Sequence, residues 1–219
     1  MANSTATPIE AVIFDIGGVL YRIEIASILK SIAQHTGKSP LELIALYHDP
    51  SMLDFEVGKL TDREFHAQFE ALLGCPFPYP QFIDTWNAIF VEEIHETAAL
   101  MHSLNARSDL KVGILSNTNI IHLTWMRQKS KLFDSIRYFY ASNEIGLRKP
   151  NADAYHHVLK NMEVAPQRAV FIDDLAENIA AAKAVGMHGI HATDPASVHT
   201  GLSSLGIFCA ENPASTRII

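Results

Sequence analysis

Short polar and acidic side chains follow three apolar segments of this 219-residue chain, at the point where each segment ends. They are, in chain order, Asp15 after AVIF, Ser116 and Asn117 after VGIL, and Asp173 and Asp174 after AVFI. A single residue of this kind usually only caps the following helix. Three strand ends of this type favour a common site, because ligands of parallel α/β sheets bind beyond the carboxyl ends of the strands.

The acidic members of this set indicate a metal site. Asp15, Asp173 and Asp174 carry like charges, which cannot all stay ionised at close range unless protons or a cation neutralise them. Mg²⁺ prefers oxygen ligands and few protein groups. Spacing alone also fits a solvated acidic strand end, but Mg²⁺ binding is the more economical interpretation.

The neighbouring residues favour an anionic ligand. Gly17 and Gly18 allow a tight turn that brings backbone N–H groups close to an anion. Ser116 and Asn117 can donate hydrogen bonds to phosphoryl oxygens, and Lys149 offers a compact positive charge. Lys149 read alone fits a surface lysine equally well.

The elements that must position these residues predict an α/β fold. The three apolar segments read as buried parallel strands, and IRYFYAS and GIHAT as two more. Helical patterns in NADAYHHVLKNM and LAENIAAAKAVG separate the later strands. This alternation predicts a Rossmann-like, doubly wound parallel sheet.

Residues 22–97 break the alternation and predict an inserted α-helical cap, leaving 1–21 and 98–219 as the core. The expected helices lie in IEIASILKSIAQHTG, LELIALYH, REFHAQFEALLG and QFIDTWNAIFVEE, the last of which places Phe82, Trp86 and Phe90 on one face as cap core. Two capping boxes, Ser39 with Glu42 and Thr61 with Glu64, support two of the helix starts. The tail CAENPASTRII is expected to be peripheral.

Composition excludes several classes of protein. A formal charge of −7 without a Lys/Arg cluster argues against nucleic-acid binding. Two distant cysteines indicate neither a disulfide framework nor a zinc site, and favour a reducing, cytoplasmic setting. No apolar segment reaches the roughly 18 residues of a membrane span, and the N-terminus does not look like a signal peptide.

Four segments in this order, FDIGGVL, LSNTN, NEIGLRKP and FIDDLAENI, resemble the four motifs of the haloacid dehalogenase superfamily of hydrolases. The resemblance spans most of the chain. The helical insertion is similar to the cap of the subfamily that carries it after the first motif. The GGV sequence resembles a bacterial branch that includes α-glucose-1-phosphate phosphatases.

The resemblance implies a Mg²⁺-dependent phosphatase in which Asp15 attacks phosphorus and forms an aspartyl-phosphate. The metal ligands would be Asp15, the Gly17 carbonyl, Asp174, and Asp173 directly or through water. Catalysis would rest on Asp15 and Lys149, and the phosphoryl group would be held by Gly18, Ser116, Asn117 and Lys149. The expected partner is a small phosphorylated metabolite bound by a monomer or homodimer, without nucleic acid or membrane.

One residue departs from the family pattern. Phosphatases of this superfamily usually carry a second aspartate two residues after the nucleophile, as general acid and base, whereas this chain has Gly17. The loss of such a group costs on the order of 10²- to 10⁴-fold in rate. A sugar 1-phosphate, whose leaving group needs little protonation, is therefore the preferred substrate, although a cap residue or the substrate itself could supply the proton.

Two other readings stay open from the sequence. In a 2-haloacid dehalogenase the same aspartate attacks carbon without a metal, which the Asp173/Asp174 pair disfavours. A chain with lost catalysis would instead be a binding module for a phosphorylated ligand or a protein. Candidate cap contacts to the substrate lie around Glu56, Gly58 and His66.

Overall fold

A computed structural model describes residues 8–39, 42–44 and 49–207. Its centre is a five-stranded parallel sheet with the spatial order β5-β4-β1-β6-β7. These strands are β1 (Ala11–Phe14), β4 (Lys111–Ser116), β5 (Tyr138–Ala141), β6 (Ala169–Asp173) and β7 (His188–His191). The chain moves outward from β1 on one side and returns to its other side through β6, so the carboxyl ends of β1, β4 and β6 meet at the switch point.

Helices cover both faces of the sheet. They are α5 (His95–Asn105), α6 (Ile120–Lys129), α7 (Ser142–Ile145), α8 (Ala152–Met162), α9 (Ala176–Ala184) and α10 (Pro195–Ser204). Val12 and Phe14 of β1 join the buried cluster under α5, α6 and α10, whereas Ala11 and Ile13 join the cluster under α8 and α9. Burial on both faces explains why β1 is apolar without alternation. The prediction of a doubly wound parallel sheet is confirmed.

The inserted region carries helices α1 (Ile25–Thr36), α2 (Pro50–Glu56), α3 (Asp62–Leu73) and α4 (Tyr79–Asn87). We call residues 25–87 the helical cap. Its interior is largely aromatic: the rings of Phe55 and Phe65 stack at 4.2 Å, and Phe82 and Trp86 pack against Phe65. The cap therefore has a hydrophobic core of its own, while the boundary at 22–97 stays a prediction.

The predicted helix across QFIDTWNAIFVEE is wrong in its second half. Residues Phe90–Glu93 form strand β3, which pairs antiparallel with β2 (Tyr21–Ile23). Phe90 consequently leaves the cap and packs on Tyr21 and Trp125. A helical spacing of aromatic residues did not reveal this, because the partner strand lies about 70 residues away in sequence. The resulting two-stranded ribbon connects the cap to the core in both directions.

The two capping boxes predicted at helix starts are present in the structure. Thr61 and Glu64 form the expected reciprocal capping box at the start of α3. At the first box the Glu42 carboxylate accepts from Ser39 N–H at 2.8 Å and Ser39 Oγ accepts from Glu42 N–H at 3.4 Å, as expected. Most of LELIALYH and the tail CAENPASTRII lie outside the described residues. Among the described helices, none has the length and apolar character needed to cross a bilayer.

Candidate active site

A tight turn after β1 presents Asp15. The backbone N–H groups of Leu20 and Tyr21 donate to Ile16 O, and Gly18 N–H donates to Tyr21 O at 2.8 Å. Gly18 has φ +71°, and a Cβ there would lie 2.2 Å from Asp174 Oδ2. Only glycine fits, because both the conformation and the close carboxylate exclude a side chain. The turn thus brings the first strand end against the third.

Lys149 occupies the centre of the site. Its side chain is 1% exposed, and Nζ lies 2.9 Å from Asp15 Oδ1 and 2.6 Å from Asp173 Oδ2. A surface position for this lysine is therefore excluded. Its side-chain nitrogen is held between two buried carboxylates, which fixes its position.

Asp173 is fully engaged by protein groups. Oδ1 accepts from Leu175 N–H at 2.8 Å, and both carboxylate oxygens accept from Asn178 Nδ2 at 3.0 Å, in addition to the Lys149 ammonium on Oδ2. These contacts orient Lys149 and leave Asp173 little free acceptor capacity.

Carboxylate oxygens of Asp15, Asp173 and Asp174 all lie within 4.8 Å of one another. Burial, opposed by Lys149 and reinforced by Asp173, raises the pKa of Asp15 from 3.8 to about 6. Burial and the Asp173 charge also raise the pKa of Asp174. Three carboxylates against one ammonium leave excess negative charge, so an all-oxygen donor set with this charge fits a divalent cation such as Mg²⁺.

The second strand end organises the loop that carries Lys149. The Asn117 side chain donates from Nδ2 to Lys149 O at 2.9 Å, and its Oδ1 accepts from Lys149 N–H at 2.8 Å. Ser116 is 4% exposed at the end of β4. Of the two predicted residues, Asn117 contacts Lys149, but its side-chain amide already bonds the Lys149 backbone in both directions.

The cap contacts the core beside this loop. The Glu56 carboxylate accepts from Arg148 Nε at 3.1 Å and lies 3.0 Å from Arg148 Nη2. The buried hydroxyl of Ser142 donates to Glu56 O at 2.6 Å. A Cβ on Gly58 would lie 2.2 Å from Asn143 O, so this approach requires glycine. Burial raises the pKa of Glu56, while the charge of Arg148 opposes that rise.

Two of the three cap residues predicted to contact the substrate lie where the cap touches the core, and their contact with a substrate stays a prediction. Glu56 and Gly58 lie at the cap–core boundary. His66 does not, because it lies inside the cap, where its ring nitrogen Nε2 donates to Phe77 O at 2.6 Å and its ring packs against Phe82.

Sequence reasoning missed three polar residues that shape the site, namely Ser142, Arg148 and Asn178. Arg148 and Asn178 lie within two of the four recognised motifs, so their proximity to Lys149 and Asp173 in sequence was a usable signal. Ser142 carried none, because its role depends on a contact with the cap 86 residues away.

Comparisons with known proteins agree with this geometry. A family model described as haloacid dehalogenase-like hydrolase matches residues 9–186. The sesquiterpene phosphatase astK of Aspergillus oryzae is 31% identical over 195 residues, covering 86% of this chain and 92% of that protein. The D-ribitol-5-phosphate phosphatase of Bacteroides thetaiotaomicron is 26% identical over 185 residues, covering 81% of this chain and 89% of that protein.

A solved structure shares the architecture as well. A haloacid dehalogenase family enzyme from Bacteroides thetaiotaomicron, determined as a magnesium complex, superposes with a TM-score of 0.74. It is 25% identical, and the match covers 84% of this chain and 92% of that one.

Proposed function

Because this chain belongs to the haloacid dehalogenase-like hydrolases and resembles phosphatases over most of their length, we propose that it hydrolyses a small phosphorylated metabolite with Asp15 as nucleophile. The observation that carries the proposal is the buried ion-paired cluster of Asp15, Lys149 and Asp173 beside Asp174. Such a cluster concentrates a carboxylate nucleophile and positive charge where a phosphoryl group would react.

The metal-holding groups in this proposal are Asp15, the Gly17 carbonyl and Asp174, with Asp173 acting directly or through water. Bound Mg²⁺ would supply positive charge to the phosphoryl oxygens and the nucleophile. The protein's own contribution is to orient Asp15 and to oppose the rise of its pKa, which the Lys149 ammonium does from 2.9 Å. Asp173 and Asn178 hold that ammonium in place.

Lys149, Ser116 and Asn117 would hold the phosphoryl group, whereas the Gly18 N–H, expected from the sequence to join them, already donates to Tyr21 O at 2.8 Å and shapes the turn instead. The positive charge of Lys149 would stabilise the negative charge of the phosphoryl oxygens as the bond to Asp15 forms. Since the Asn117 side chain bonds the Lys149 backbone in both directions, we assign it mainly the task of fixing the lysine loop. Ser116 lies next to it at the end of β4.

The proposed substrate class is a sugar phosphate or another small phosphate ester. Arg148 and Glu56 stand side by side where cap and core meet, and the Lys149 charge acts on the Glu56 carboxyl. A polar leaving group entering between cap and core would meet this ion pair. Its side chains offer both donors and acceptors for hydroxyl groups.

The test is phosphate release from sugar phosphates, polyol phosphates, nucleotides and an isoprenoid phosphate, each with Mg²⁺ and with chelator. Asp15→Asn should abolish release, whereas Asp134→Asn, on an exposed surface carboxylate, serves as the matched control. Release that persists in chelator, or in Asp15→Asn, contradicts the proposed mechanism. Chloride release from a 2-haloacid without metal would instead identify a dehalogenase, and phosphate-ester binding without turnover a binding module.

A further inference from the structure

Glu56 of the cap bonds the core through two different groups. Its carboxylate accepts from Arg148 Nε at 3.1 Å, and its backbone carbonyl accepts from the hydroxyl of Ser142 at 2.6 Å. Ser142 is fully buried at the start of α7. Both contacts join segments that are far apart in sequence, so they exist only while the cap lies against the core. A single cap residue is therefore bonded to two separate core loops.

The first connection runs from Ser142 to Lys149. The Ser142 hydroxyl also accepts from Thr118 N–H at 2.9 Å, so it bonds the loop that follows β4. The preceding residue, Asn117, bonds the backbone N–H and carbonyl of Lys149 with its side chain. Hydrogen bonds thus connect the cap carbonyl to the Lys149 backbone through Ser142, Thr118 and Asn117.

The second connection is shorter. Arg148, whose Nη2 lies 3.0 Å from Oε2 of Glu56, directly precedes Lys149 in the chain. The cap carboxylate therefore holds the residue next to the lysine. Both connections meet at Lys149, whose side-chain nitrogen lies 2.9 Å from Oδ1 of Asp15. The position of the cap and the position of this nitrogen are coupled twice.

The Ser142 hydroxyl has a second acceptor within reach. Thr118 O lies 3.0 Å from its Oγ, compared with 2.6 Å for Glu56 O. A hydroxyl group donates one proton, so the two carbonyl oxygens compete for it. The shorter contact favours Glu56 O while the cap lies on the core, and Thr118 O would take the proton when the cap moves away. The buried hydroxyl keeps an acceptor in both arrangements, which avoids the cost of an unmade hydrogen bond.

We propose that Ser142 and Arg148 are positioning residues, which make the placement of Lys149 beside Asp15 depend on contact between the cap and the core. This inference rests on the proposed function and deepens it, since Lys149 acts in the same site. A substrate that holds the cap on the core also fixes Lys149, and by linkage the placed lysine favours the cap contact. Neither positioning residue has to touch the reacting atoms for this effect.

Labelling of Lys149 with trinitrobenzenesulfonate, in chelator and without substrate, tests this coupling. Mass spectrometry gives its rate relative to that of the exposed Lys160. A buried lysine reacts only when its surroundings open, so the ratio should rise about 3- to 10-fold in Ser142→Ala, which cuts the first connection. It should also rise in Gly58→Ala, whose Cβ would lie 2.2 Å from a core carbonyl and push the cap away. Ser130→Ala, which removes another buried hydroxyl of the core, should leave it unchanged.

Unchanged labelling in Gly58→Ala, or equal labelling in Ser142→Ala and Ser130→Ala, overturns the inference. Arg148→Gln, which cuts the second connection, should behave as Ser142→Ala and decides the case if the buried serine variant does not fold. No substrate or Mg²⁺ enters this measurement, so its outcome is separate from that of the phosphatase test.

Kinetics separate positioning from substrate binding. With a phosphate ester that the wild type hydrolyses, Ser142→Ala should lower kcat about 3- to 10-fold and leave KM within about 2-fold, because the serine acts on Lys149 and not on the substrate. A higher KM at unchanged kcat would assign Ser142 to substrate binding and contradict the positioning role.

Discussion

Replacing Asp15 by Asn should abolish activity and at the same time stabilise the metal-free protein. Burial raises the pKa of this carboxyl group from 3.8 to about 6, so the folded protein resists its ionisation. With about 1.4 kcal/mol per pKa unit, ionised Asp15 costs about 3 kcal/mol of folding free energy at neutral pH. The asparagine avoids this cost but loses the ion pair with Lys149, which leaves an expected net gain of about 1–3 kcal/mol.

The sign of the pH dependence follows from the raised pKa. Below pH 3.8 the Asp15 carboxyl group is protonated in both the folded and the unfolded protein, so it does not reduce the stability of the wild type. As the pH rises from 3.8 to about 6, the unfolded protein ionises this group first and the wild type loses folding free energy. The advantage of Asp15→Asn should therefore be full at pH 7.5 and fall to about half at pH 5. Added Mg²⁺ should stabilise the wild type more than the variant, because the folded wild type binds the ion more tightly.

Thermal denaturation in chelator at pH 7.5 and pH 5 measures this effect. For a chain of this size the expected gain corresponds to a rise of about 2–10 °C in Tm. Asp134→Asn, on an exposed carboxylate, should leave Tm almost unchanged at both pH values. If Asp15→Asn melts at or below the wild type at pH 7.5, or if its advantage is the same at pH 5, the account of a strained, buried carboxylate is refuted.

Three further predictions concern glycine contacts and a half-buried histidine. Gly18→Ala should weaken Mg²⁺ binding, measured by calorimetry, about 10- to 100-fold, because its Cβ would displace the Asp174 carboxylate. Gly37→Ala, with a similar positive φ and open space around it, should leave Mg²⁺ binding unchanged. Gly58→Ala should lower kcat/KM, because its Cβ would collide with Asn143 O and force the cap away from the core. Gly74→Ala has the same positive φ but open space around it, so it should cost only about 1–2 kcal/mol of stability. Equal kcat/KM values in the two variants would argue against a functional contact between cap and core at Gly58. Burial lowers the pKa of His122 from 6.5 to about 4, so stability that is complete above pH 6.5 should fall by about 3 kcal/mol as the pH drops through 4. Urea midpoints at pH 7.5 and pH 4.5 should show a smaller loss for His122→Gln, and an equal loss in both proteins would contradict this origin of the acid sensitivity.

The sequence by itself determined the parallel sheet and placed the candidate site residues at the ends of its strands. The apolar segments of four residues that precede Asp15 and Asp173 suit central strands buried on both faces, and parallel strands place their carboxyl ends on one edge. Capping chemistry is also local, so the start of α3 at Thr61 followed from two side chains three residues apart.

Tertiary structure decided everything that depends on contacts between distant segments. The ribbon of β2 and β3 joins residues about 70 positions apart, and it turned Phe90 from a supposed cap residue into a core residue. The same ribbon carries Ile23 against Gly17, and folding of the cap brings Glu56 to Arg148. Periodicity reports only which face of an element is buried, whereas what that face meets is set by packing between elements.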